Sequence, residues 1–87
     1  MHAVVLRVTI TDPDSATSEL TERVVPRVKQ APGFVAGYWT RKDNSGLSMV
    51  VFDSEDAANG ASEQIPNAIP ESVTLESIEV REVVAHA

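Results

Sequence analysis

The chain has 87 residues, no cysteine, and 13 acidic against 7 basic side chains, for a formal net charge of −6. A single domain of this size (residues 1–87) buries only about 60 to 65% of the surface it exposes when unfolded, and without cysteine it has neither disulfides nor a thiolate metal site to supplement the core, which leaves association with a second copy. The acidic balance and scattered Lys and Arg exclude a clustered basic footprint for nucleic acid, and the absence of a basic leader or of an apolar run near 20 residues points to a cytoplasmic protein off the membrane.

From His2 to Thr11 the β-branched and large residues, uninterrupted by Gly or Pro, predict a strand. Its even positions Val4, Leu6, Val8 and Ile10 are all apolar, the pattern of a face covered by helices, whereas Ala3, Val5, Arg7 and Thr9 are mixed. Asp12 and Pro13 then open a helix as N-cap and first residue, with Ser15 and Thr17 as alternative caps. Leu20, Val24, Val28 and Ala31 form its apolar stripe, and Glu19 and Arg23 have the spacing of a surface ion pair. Pro26 removes a helical hydrogen bond and crowds the carbonyl four residues earlier, so a kink is expected near Glu22.

Pro32 and Gly33 stop the helix. Phe34 to Lys42 reads as the second strand, Asp43 to Gly46 as a hairpin turn, and Leu47 to Phe52 as the third strand. Asp53 to Asp56 starts a second helix, whose stripe of Ala57, Ala61 and Ile65, with Ala58 beside it, allows close approach to a sheet. Gly60 weakens this helix and Pro66 and Pro70 bracket its end. The last strand runs from Val73 into Val84, where broken alternation predicts a bulge near Ser77.

The resulting order, β-α-β-β-α-β, is the ferredoxin-like α+β arrangement: a four-stranded antiparallel sheet with both crossover helices on one face. The other face carries Val5, Arg7, Leu47, Met49, Val51, one of Val35 and Ala36 and one of Tyr38 and Trp39, more apolar surface than a monomer usually exposes. Two such sheets packed face to face as a homodimer would cover it.

Two stretches, Pro32-Gly33-Phe34-Val35-Ala36-Gly37-Tyr38-Trp39 and Val50-Val51-Phe52-Asp53-Ser54-Glu55-Asp56-Ala57-Ala58, together with this element order, resemble the dimeric α/β-barrel superfamily and within it the antibiotic biosynthesis monooxygenase (ABM) domain. The resemblance implies a homodimeric α/β barrel with a cleft in each subunit, between sheet and helices or in the barrel interior. It also implies a small apolar or aromatic ligand, and either a monooxygenase that needs no metal or organic cofactor or a non-catalytic binding module of the same fold. Haem-degrading members carry an Asn on the first strand and a Trp and a His on the second helix; this sequence has none of the three there, and that activity is not expected.

No catalytic residue can be assigned from the sequence. The candidate substrate-binding residues are Arg7, Tyr38, Trp39 and Met49. Trp39 either stacks on a flat ligand or fills a core or interface. Arg7 either stabilises a bound carboxylate, phenolate or enolate, or pairs with Glu76, Glu79 or Glu82. Met49 and Ser48 are of pocket-lining type, and Met49 equally suits a gap in a core. No Ser, His and acid arrangement is legible. His2 and His86, both near the chain ends, make no metal site and are expected at frayed surface positions.

Overall fold

Strand β1 (His2–Ile10) occupies an inner position in a four-stranded antiparallel sheet with β2 (Phe34–Lys42), β3 (Ser45–Phe52) and β4 (Val73–Glu82), in the order β2-β3-β1-β4. The computed structural model describes residues 1–87. Helices α1 (Pro13–Glu19), α2 (Val25–Lys29) and α3 (Glu55–Gln64) complete the chain, and the order matches the ferredoxin-like α+β arrangement. The core is the apolar face of β1 meeting that of β3 and one small helical residue: Val4, Leu6, Val50, Phe52 and Ala58. Phe34 meets Phe52 edge to face at 6.4 Å. Ala58, rather than Ala57 or Ala61, sits deepest on α3, and its methyl side chain is what lets the helix lie close on β1, β3 and β4.

Residues Leu20–Val24 form a π-helical turn that joins α1 to α2. There the Val25 N–H donates to the Leu20 carbonyl, one residue further back than in an α-helix. Pro26 explains the turn: it has no N–H for the Glu22 carbonyl and would clash with it, and one extra residue in the turn moves that carbonyl aside. The expected kink is therefore a bulge in an otherwise continuous helical arm. The same extra residue rotates Glu19 and Arg23 out of i, i+4 alignment, and the ion pair expected between them is not formed.

Local chemistry sets the helix starts. Asp12 caps α1, its carboxylate accepting from the Ser15 N–H at 3.2 Å and the Ser15 hydroxyl at 2.9 Å, and Ser54 caps α3 by accepting from the Ala57 N–H at 3.1 Å. The hydrogen bonds from Ser15 hold the Asp12 carboxyl below its ordinary value. A depressed carboxylate stabilises the fold above the unfolded value near about pH 4, and that contribution is lost as pH falls further. Asp12→Asn should therefore keep the cap but flatten the acid limb of the stability curve, checked by urea midpoints at neutral pH and below pH 4.

Gly33 has φ of +80°, and a Cβ there would lie 2.5 Å from Asp53 Oδ1. Its carbonyl accepts from the Asp53 N–H at 2.8 Å, tying the helix stop to the start of α3. The hairpin turn is tighter than expected, Asp43 and Asn44 alone, with Asp43 at φ 54°. Asn44 in turn pairs with the end of β1 through both its carbonyl and its amide.

The β4 bulge falls at Glu76, beside the expected Ser77, since Arg7 pairs with Ser77 and Val8 with Leu75. A second bulge, unsignalled in the sequence, falls at Val35: Phe34 pairs with Phe52 but Ala36 with Val51. His2 is not frayed. It pairs with Phe52 and Glu82 in the sheet and its Nε2 lies 3.2 Å from Glu55 Oε2, because the Met1 carbonyl accepts from Val83 and holds the first strand down. His86 is exposed.

Candidate functional site

Residues paired across adjacent strands share a face of the sheet, so the register places each candidate side chain. Tyr38, Met49 and Val5 form one row, and Thr40, Leu47 and Arg7 the next. Both rows lie on the face without helices, where Tyr38 is 65% exposed, Met49 44% and Leu47 43%. Trp39 pairs with Ser48, which pairs with Leu6, and this row lies on the helix-covered face. The sheet thus brings Arg7, Tyr38 and Met49 together and separates all three from Trp39.

The Val35 bulge causes this separation. Without it Phe34 and Trp39 would point to opposite faces, since side chains alternate along a strand. With it both face the helices.

Arg7 is exposed and takes neither ion-pair partner expected on β4. Glu76 accepts from the Thr9 hydroxyl at 3.0 Å, and Glu79 is held by Arg81 at 2.8 Å. Glu82 lies opposite His2, several residues up the strand from Arg7.

On the helix side, a cleft of about 760 Å³ opens between the sheet, the π turn and the chain leading into β4. Its volume is within the range of small-molecule sites, about 300–1,000 Å³. It exists because the α1 to α2 arm stands off the sheet while α3 lies close on it. Leu6, Val8, Trp39 and Val50 form the floor, Leu20, Val24 and Val28 one wall, and Ile65, Ile69 and Val73 the other. Small residues give the floor its depth. Gly46 lies against Val8, where a Cβ would come within 2.5 Å of Val8 Cγ2. A Cβ on Gly37 would lie 2.8 Å from Trp39 Cη2 and 2.9 Å from Cζ3, so the indole lies along the strand in the space Gly37 leaves.

Two polar groups on the floor have no partner within the chain. Ser48 is only 9% exposed, and its hydroxyl and the Trp39 indole N–H form no hydrogen bond within the chain. Neither belongs to the sealed, unpaired polar atoms, which are His2 Nδ1 and Ser72 Oγ, so both stay accessible. The cleft therefore offers a flat aromatic surface with one donor and one donor-acceptor. Its charged residues are Glu19, Arg23, Arg27, Arg41 and Glu71.

Gly37→Ala tests the seat of the indole. The added methyl group should force the ring toward the cleft, lowering stability by about 1–3 kcal/mol and shrinking the site, with the single indole N–H resonance as the readout. An unshifted resonance would show that the ring does not depend on the glycine.

As site residues, sequence reasoning named Ser48 and Trp39 but not Gly37, Gly46 or the three arginines. Arg41 was within reach of it, since residues 39 and 41 share a strand face; Arg23 and Arg27 flank the Leu20 and Val24 stripe. No group of three or more His, Cys, Asp or Glu side chains comes together as a metal site would need. No helix is long and apolar enough to cross a membrane. No protein-family model matches the sequence, and no curated protein matches it at significant similarity.

Proposed function

We propose that this chain is an ABM-like protein that binds a small, largely apolar or aromatic molecule in the cleft between its sheet and its helical arm, and that it works as a homodimer with the two open sheet faces joined in an α/β barrel. The observation that carries the binding reading is the pairing of Trp39 with Ser48 on the floor of a cleft whose lining is more apolar than polar, each with a polar group left unpaired within the chain. A flat ring stacks on the indole while one hydroxyl or carbonyl substituent takes the two polar groups. The homodimer is supported by the exposed Tyr38, Met49 and Leu47 side chains of the open face, an apolar surface of the kind that marks interfaces.

Calorimetric titration with 2-naphthylmethanol, a neutral bicyclic probe, tests the binding step. Trp39→Ala should weaken it by about tenfold or more, and an unchanged affinity would move the site elsewhere.

A second reading adds catalysis: oxygenation of a bound phenol or enol without metal or organic cofactor. The arginines that line the cleft favour it, because a cation near the ring stabilises the anion such chemistry starts from. Arg7 has no part in it alongside Trp39 within one chain, since the sheet lies between them. Oxygen uptake with anthrone or quinol substrates decides this. Uptake abolished by Trp39→Ala supports the oxygenase, and no uptake over background leaves the protein a binding module.

A further inference from the structure

The chain carries a net charge of −6, yet three of its 7 basic side chains, Arg23, Arg27 and Arg41, line one cleft. Of its 13 acidic side chains only Glu19 and Glu71 do so. The concentration of positive charge arises from three separate stretches: the π turn holds Arg23, α2 holds Arg27, and β2 holds Arg41 two residues beyond Trp39. None of the three arginines is in an ion pair within the chain, where Arg81 alone among the Lys and Arg side chains is so engaged. Arginines left unpaired in an acidic protein keep their full donor capacity, five N–H groups each.

We infer that the molecule taken by this cleft carries a single carboxylate, held by Arg23, Arg27 and Arg41, with its apolar body on Trp39; the inference rests on the reading of the cleft as a small-molecule site. Three arginines against two glutamates leave one positive charge in excess, which matches a monoanion better than a phosphate dianion. Guanidinium groups bind carboxylate in a two-bond fork that fixes orientation as well as adding strength. The apolar walls contributed by Leu20, Val24 and Ile69 exclude a ligand charged along its length. The net negative charge of the chain as a whole disfavours anions on average, so a local excess of arginine is what a bound anion needs.

The test uses two probes that share a ring system, 2-naphthoate and 2-naphthylmethanol. Each is titrated calorimetrically and followed on the indole N–H resonance, which is single because Trp39 is the only tryptophan. The expected result is that 2-naphthoate binds about tenfold or more tighter than the alcohol, that added salt narrows the gap, and that a chain carrying Arg23→Gln, Arg27→Gln and Arg41→Gln binds both alike. Arg81→Gln, on the opposite face of the sheet, should leave the preference intact. Equal affinity of the unmodified protein for both probes would overturn the carboxylate inference while leaving the cleft a binding site. A preference for naphthoate that survives the triple substitution would overturn the role of these arginines. Binding of neither probe, with the indole resonance unmoved, would overturn both the inference and the cleft reading beneath it.

Discussion

If the open faces join as proposed, Val5→Glu should leave the chain monomeric at micromolar concentration without unfolding it. Val5 lies on the inner strand of the open face, between Met49 on one side and Glu79 on the other. In a face-to-face dimer a carboxylate there would be buried near a second one, and an unpaired buried charge costs several kcal/mol. In a monomer the same side chain stands in water, at little cost to the fold. Light scattering should therefore report half the mass, with an unchanged circular dichroism spectrum. A wild-type chain that is already monomeric under these conditions would sink the joined-face proposal, and the exposed Tyr38, Met49 and Leu47 would then need another occupant.

Phe52→Ala should cost about 3–5 kcal/mol. The ring is fully buried, stands edge-on to Phe34, and is the largest side chain in the core cluster with Val4, Leu6, Val50 and Ala58. Small domains have folding free energies toward the low end of about 5–15 kcal/mol, so the variant should be largely unfolded in mild urea, whereas Phe52→Leu should keep most of the structure. A loss below about 1 kcal/mol for the alanine variant would mean that the arm and α3 are not held on the sheet by this residue. The effect also bears on function, because Phe52 sits on the strand that carries Ser48 and Val50 into the cleft.

Much of the fold was legible because its determinants are local. Asp12 with Pro13, and Ser54, cap helices through atoms three residues away; Gly33 supplies a backbone angle that other residues rarely adopt; the turn residues Asp43 and Asn44 close a hairpin between two β-prone runs. The covered face of β1 was legible from Val4, Leu6 and Ile10 for the same reason, since alternation is a property of one strand. Pro26 signalled a distortion in the first helix, but its form as a π turn was not readable, because a kink and a bulge both relieve the same clash.

The amino-acid sequence by itself determined the order of elements, the helix starts and stops, and the concentration of aromatic and small residues between Pro32 and Thr40. Only the tertiary structure decided which way Trp39 points. Phe34, Val35, Ala36, Tyr38 and Trp39 are apolar or aromatic at both parities, so alternation says nothing about which of them faces the helices. One extra residue at Val35, set by the pairing of β2 with β3, reverses every side chain after it. That bulge puts Trp39 beside Ser48 on the cleft floor and leaves Tyr38 with Arg7 and Met49 on the open face. The three arginines that line the cleft come from two helical segments and a strand, and only packing the arm over the sheet makes them part of one cleft.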